Sequence, residues 1–334
     1  SLARDAQGGL VTISGEAGVG KSRLVEEFAA ELTEDVLVLL GRCHESAVAE
    51  PYGPLVGALR GALSSITLEE IGLAPVWRRE LARLLPELED RTTQAGLAPL
   101  DGVRDRDRLF EGVRAFLAAV AERRPALLVV EDVHWSDETS LNLVRFVARE
   151  PRIPGLLTVV TFRADELSGE RRRTVRGLAA GGRHIELATL DERQTADLVA
   201  RLAGSETVPE RFGRVLHRAT GGNPFFLLEM LQALFEQRTL EAGAQGWLTT
   251  PSSAADDYTE LPIPESVAAI VAARLDRLDD DAHHLLECAA VLRRDFEFDL
   301  AAAVSRLPAA DALDALDALL AAGLLRELPT ESGR

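Results

Sequence analysis

One segment, Gly15-Glu-Ala-Gly18-Val-Gly20-Lys21-Ser22, constrains this chain more than any other. It completes the pattern G-x-x-x-x-G-K-[ST]. Before it stands a short apolar, β-branched run, Gly9-Leu-Val-Thr-Ile-Ser14, and after it Leu24, Val25, Phe28 and Leu32 recur at helical spacing. Strand, glycine loop and helix in this order let backbone N–H groups turn inward around an anion and aim the positive end of a helix at it. Lys21 is also the only lysine in the chain, every other basic side chain being arginine. A slim ammonium reaches between phosphates in a way that the planar guanidinium fork does not copy.

The loop is therefore a candidate phosphate cradle, with Gly15, Glu16, Ala17, Gly18, Val19, Gly20, Lys21, Ser22 and Arg23 as its contacts. Lys21 neutralises β- and γ-oxygens and the Ser22 hydroxyl can ligate Mg²⁺. The bland alternative is a glycine-rich turn that matches by chance.

Further strands are expected at Val36 to Leu40, Ala126 to Val130, Leu156 to Phe162 and near His184 to Leu190. Helices are expected between them, from Asp107 to Val120 and from Glu138 to Glu150, and strands alternating with helices predict a parallel, doubly wound sheet. Residues 47 to 100 read as an insertion of helical pieces broken by Pro51, Pro54, Pro75, Pro86 and Pro99, with a surface loop at Glu89 to Gln94. After Asp191 strand signals fade. Helices are expected at Glu192 to Leu202, Pro209 to Ala219, Pro224 to Phe235, Glu265 to Leu278, Ala282 to Leu292 and Ala309 to Ala321. Thr239 to Glu260, around a lone Trp247, reads as a linker or mobile loop. Gly323 is a helix stop, and Leu324 to Leu328 a strand. The division that follows is 1–190, 191–255 and 256–334.

Two carboxylates, Glu131 and Asp132, end the apolar strand Leu127-Leu-Val-Val130. A magnesium-and-water site needs acids in that place. Glu131 is expected to face the metal shell and Asp132 to orient or deprotonate the attacking water, with the two assignments exchangeable; the bland alternative is a strand end capped by acids. Arg163 follows the strand Leu157-Thr-Val-Val-Thr161-Phe162. It reaches a γ-phosphate if that strand lies between the two motif strands, and otherwise makes a surface salt bridge. Thr220-Gly221-Gly222-Asn223-Pro224 has the chemistry of a helix junction. His283, His284 and Cys288 have helical spacing without a completing ligand and read as a solvated helix face. Arg171, Arg172, Arg173 and Arg176 read as a solvated loop.

Composition narrows the class. At 334 residues and 46% hydrophobic content, two or three domains with sizeable cores are expected. No apolar run reaches the roughly 20 residues of a membrane span, and two distant cysteines suggest neither a disulfide framework nor a zinc ribbon, so a cytoplasmic protein is expected. A net charge of -17 argues against this segment gripping nucleic acid directly. Opening on Ser1 with no leader behind it, the chain is expected to be part of something larger.

Together, Gly15 to Ser22, Glu131-Asp-Val-His134-Trp135-Ser-Asp137, Thr161-Phe-Arg163 and Gly221-Gly-Asn-Pro224 resemble the STAND class of AAA-related signalling ATPases. Within it the likeness is greatest to the ATPase core of large LuxR-type and related actinobacterial transcriptional regulators. The resemblance implies a five-stranded P-loop NTPase sheet of ASCE type with the sensor strand between the loop strand and the acidic strand. A helical lid and a winged helix, incomplete at its C-terminus, follow it. It implies that Arg163 is a sensor arginine, that Pro224 packs on the nucleotide and that Asp137 caps the next helix. It also implies ATP, ADP and Mg²⁺ as ligands, slow hydrolysis, self-association on activation and an effector domain outside this fragment. A DNA-contacting ATPase of origin-recognition or clamp-loader type and a nucleotide-stabilised scaffold are the rival expectations.

Overall fold

The computed structural model describes residues 8–32, 35–44, 51–88, 103–149, 151–205, 208–236, 240–243, 246–249, 272, 275–276, 278–292, 296–322 and 324–325. The chain divides into two compact units, Ser1–Ala188 and Thr189–Arg334.

In the first unit, strands β1 (Gly9–Gly15), β2 (Leu37–Arg42), β3 (Ala126–Glu131), β4 (Leu156–Phe162) and β5 (Arg183–Leu187) form one parallel sheet in the order β2-β3-β4-β1-β5. Strand β4, which Arg163 follows, thus lies between β1 and β3, as expected. β3 and β4 are buried at every residue, because helices cover both faces of a parallel sheet. Alternate residues feed two cores. Leu128, Val130 and Val160 pack with Leu109, Phe116 and Leu59 on one face, while Leu127, Val129 and Val159 pack with Val25 of helix α1 (Lys21–Ala30) on the other. Edge strand β2 alternates buried and exposed residues instead.

The proline-punctuated insertion forms α2 (Gly53–Ser65), α3 (Leu68–Ile71), α4 (Pro75–Leu81) and a single 3₁₀ turn at Pro86–Leu88. Gly41 lets α2 close on β2, since a Cβ there would stand 2.2 Å from the Pro54 carbonyl oxygen. Helices α5 (Val103–Arg123) and α6 (Glu138–Ala148) complete that layer.

One expectation is corrected here. Arg171, Arg172, Arg173 and Arg176 are not in a loop but on helix α7 (Gly169–Ala180). Thr174, Val175 and Leu178 are its buried stripe, and arginine is a good helix former on the exposed side.

In the second unit, α8 (Glu192–Ala203), α9 (Glu210–Thr220) and α10 (Pro224–Glu236) match the expected helices to within a residue or so at each end. Val199, Phe212, Leu216, Leu227, Met230 and Leu234 form their shared core. Thr239 to Glu260 was expected to be a linker, yet β6 (Leu240–Gly243) and β7 (Gly246–Thr249) pair antiparallel there, with Trp247 opposite Ala242. Four-residue strands rich in Gly and Ala carry too weak a pattern to separate from a loop. Helices α11 (Asp280–Leu292), α12 (Phe298–Ser305) and α13 (Ala309–Ala321) share a core of Ala282, Leu285, Ala301, Ala315 and Leu319. α12 is a helix that the periodicity had not marked. The expected loop Glu89 to Gln94 and stop Gly323 lie outside the described residues, as does the helix Glu265 to Leu278 apart from a few positions. Of Leu324 to Leu328 only Leu324 and Leu325 are described, and neither is in a strand.

Candidate functional site

The glycine loop joins β1 to α1. Gly18 and Gly20 hold φ of +77° and +103°, values that side-chain-bearing residues rarely adopt. Lys21 opens α1 and is only 6% exposed. Its Nζ donates to the carbonyl oxygens of Gly15 and Glu16, both at 2.8 Å. Burial pulls the ammonium below the usual lysine pKa, and the guanidinium of Arg163 adds to that; the carboxylates of Asp132, Asp165 and Glu166 oppose it. Val19 is buried in the loop and Ser22 half-buried, whereas Arg23 points to solvent and pairs with Glu27 one turn on.

The two acids at the end of β3 diverge. Glu131 is buried, and its Oε2 accepts from Arg42 Nε at 2.8 Å, Arg42 being its register partner on β2. Its other oxygen, Oε1, is buried with no hydrogen-bond partner among the described residues. Asp132 takes the left-handed conformation, φ 56° and ψ 46°, and its backbone N–H donates to Thr161 Oγ1 at 3.0 Å. That bend turns the chain away from the strand. Burial raises the Asp132 pKa against the opposing pull of Arg163 and Lys21.

Arg163 follows β4. Its Nη1 donates to Glu166 Oε1 at 2.6 Å, and its guanidinium carbon lies 4.9 Å from the centre of the Trp135 ring. Its backbone N–H donates to His134 Nδ1 at 3.3 Å, and His134 Nε2 lies 3.4 Å from Glu166 Oε2. His134 is enclosed, with Arg171 Nη1 donating to its carbonyl. Burial lowers its pKa to about 4, so the ring is neutral at pH 7. With Nδ1 accepting, the ring proton sits on Nε2 and faces the carboxylate of Glu166. Asp137 caps α6 by accepting from Ser140 N–H at 2.9 Å and from the hydroxyls of Thr139 and Ser140. Burial alone would raise its pKa, but these hydrogen bonds hold it below the usual carboxylate range.

Lys21, Glu131, Asp132 and Arg163 therefore all stand at the C-terminal ends of the adjacent strands β1, β3 and β4 or just beyond them. Lys21, Asp132 and Arg163 act on one another electrostatically. Two neighbours were not singled out from sequence, namely Arg42 and Glu166. The i,i+3 spacing of Arg163 and Glu166 was the one available signal for the second.

Pro224 opens α10 in the second unit. Asn223 Oδ1 accepts from Phe225 N–H at 3.1 Å, and Gly221 and Gly222 hold φ of +61° and +72°. Elsewhere, His284 Nε2 donates to the Ser305 carbonyl at 3.1 Å. Among the described residues no three His, Cys, Asp or Glu are grouped as a metal cage. Nor, among them, is any helix long and apolar enough to cross a membrane.

Residues 2–160 match the AAA ATPase domain family, and residues 191–243 match a domain of unknown function (DUF8739). An uncharacterized protein of Rhizobium meliloti is 28% identical over an alignment of 248 residues that covers 68% of this chain and 23% of that protein. The chain thus spans about a quarter of that relative's length. Among solved structures, the ORC2 protein of Aeropyrum pernix in its ADPNP–ADP complexes superposes with a TM-score of 0.52 at 15% identity, covering 98% of this chain and 86% of that one. A STAND protein with a tetratricopeptide repeat sensor from Pyrococcus horikoshii gives a TM-score of 0.41 at 18% identity, covering 98% of this chain and 38% of that one. The fold of the first unit is that of the P-loop ATPases.

Proposed function

We propose that the chain is an ATP- and ADP-binding switch of the STAND type that hydrolyses ATP slowly. One observation carries this reading. Lys21, Asp132 and Arg163 are charged groups just beyond the ends of three neighbouring strands, held within electrostatic reach of one another beside a glycine loop whose N–H groups can cradle phosphates.

In this reading Lys21 leaves the carbonyls of Gly15 and Glu16 to neutralise β- and γ-oxygens, and Arg163 binds the γ-phosphate, so that its presence is felt at β4. Asp132 is the acid that accepts a proton from the attacking water. Its raised pKa suits a base that must hold that proton while the γ-phosphorus bond to the bridging oxygen breaks and ADP leaves. Hard oxygen donors are what Mg²⁺ requires, and Ser22 Oγ and the unbonded Oε1 of Glu131 supply them, with phosphates and water completing the shell. Mg²⁺ so held would spread the negative charge that develops on the phosphates.

The second unit supplies the response, with 191–255 as a lid over the nucleotide and 256–334 as a winged helix. Pro224 packs on bound nucleotide from the start of α10. Exchange of ADP for ATP opens these parts toward self-association. A ligand shifts that equilibrium only by its differential affinity for the two states, so ATP binds the open form more tightly than the closed one. An effector outside this chain, of the transcription-regulating kind, reads the change.

Denaturing the purified protein and identifying the released nucleotide tests the resting state, for which ADP is expected. Titration of the Lys21→Ala variant tests the site itself. An ATP affinity equal to that of the parent protein would falsify the reading. Steep salt-dependent binding to duplex DNA would favour the origin-recognition alternative instead.

A further inference from the structure

We propose that Glu166 is a positioning residue that lowers the preference for triphosphate over diphosphate, by holding the Arg163 guanidinium in an ion pair from which the γ-phosphate must release it. The inference rests on the reading of Arg163 as the γ-phosphate contact.

Glu166 stands between Arg163 and His134 just beyond β4. Glu166 Oε1 accepts from Arg163 Nη1 at 2.6 Å, and Glu166 Oε2 lies 3.4 Å from His134 Nε2. His134 Nδ1 in turn accepts from the backbone N–H of Arg163, so the histidine holds the residue at the strand end with its Nε2 beside Glu166. Trp135 backs the guanidinium from one face. Arg163 and Glu166 side chains are each 20% exposed, which makes the pair stronger than one at the open surface. Three carboxylates, Asp132, Asp165 and Glu166, act on Lys21, and the cations Lys21, Arg163 and Arg171 act on His134 beside them. In an incoming polyphosphate, the phosphate group nearest Arg163 meets the Glu166 carboxylate most directly.

A diphosphate leaves the pair intact, whereas a γ-phosphate competes with a carboxylate for one guanidinium. Glu166 therefore weakens triphosphate binding selectively and favours the diphosphate-bound state.

Equilibrium titrations of the full chain with ATPγS and with ADP test this. Glu166→Gln is expected to raise the ratio of ATPγS to ADP affinity about fivefold, the release of a partly exposed ion pair being worth up to ~1 kcal/mol. Arg163→Gln should lower the ratio of ATPγS to ADP affinity, and adding Glu166→Gln to it should change the ratio no further. Should Glu166→Gln fail to fold, Glu166→Asp, whose carboxylate falls short of Nη1, is expected to shift the ratio in the same direction by less. A ratio unchanged or lowered by the Glu166 variants, while Arg163→Gln does alter it, overturns this proposal and leaves Arg163 as the sensor. A ratio unmoved by Arg163→Gln overturns the sensor reading and this proposal with it.

Discussion

Arg42 at the end of β2 and Glu131 at the end of β3 are register partners, and Arg42 Nε donates to Glu131 Oε2 at 2.8 Å. The acid side chain is 5% exposed and the arginine 51%, so the pair joins a buried charge to one that water can still reach. Arg42 also comes within 3.7 Å of Glu26 on α1. A buried carboxylate without its donor is costly, but solvent beside Arg42 softens the loss. Arg42→Ala is expected to lower the stability of the protein by about 1 kcal/mol, read from the midpoint of urea denaturation. An unchanged midpoint would mean that the pair contributes nothing to folding.

The divergence of the two acids leads to separate losses. Asp132→Asn is expected to reduce single-turnover hydrolysis by about 10²-fold or more while ATP affinity changes little. Glu131→Gln should instead raise the Mg²⁺ concentration needed for tight nucleotide binding. Measuring both variants across a magnesium titration separates the roles. The reverse pattern would assign the metal to Asp132 and the water to Glu131.

His134 carries a pH dependence with a definite sign. Its folded pKa is lowered to about 4 from 6.5, so above pH 6.5 it is neutral in both folded and unfolded chains. As pH falls from 6.5 toward 4 the unfolded chain takes up a proton that the folded one refuses, and stability drops. The loss from this group approaches ~3 kcal/mol at the lower end. Replacing His134 with Gln should flatten the stability profile over that window, as followed by denaturation at a series of pH values. A His134 ring resonance that titrated near pH 6.5 in the folded protein would contradict the expectation.

Gly222→Ala tests the helix junction of the second unit. Its φ is +72°, and a Cβ would stand 1.9 Å from the Leu190 carbonyl oxygen, whose residue's own N–H donates to the Gly222 carbonyl at 2.9 Å. The backbone must move for any side chain to fit. A destabilisation of about 2–4 kcal/mol is expected, combining left-handed strain with steric displacement. Limited proteolysis and thermal melting would report it, and Gly204→Ala, which meets nothing within 4 Å at φ +66°, is the milder comparison.

Much of this protein was readable in the order of its residues, because the decisive signals are local. The glycine loop, the apolar runs of β3 and β4, the Asp137 cap and the junction at Gly221 to Pro224 each depend on neighbours within a few positions, and periodicity marked α8, α9 and α10 nearly to the residue. Where the pattern was diluted, legibility failed. Surface arginines hid the buried stripe of α7, and the short strands β6 and β7 lack clear alternation. The sequence by itself determined that one strand end carries a glycine loop and another two acids, and that Arg163 ends a third. Tertiary structure alone decided that Glu131 turns to Arg42, that Glu166 pairs with the Arg163 guanidinium and that His134 accepts from the Arg163 backbone N–H. Strand order and register arise from packing both faces of a sheet at once. They set charges far apart in the chain at hydrogen-bond distance, which no local spacing encodes.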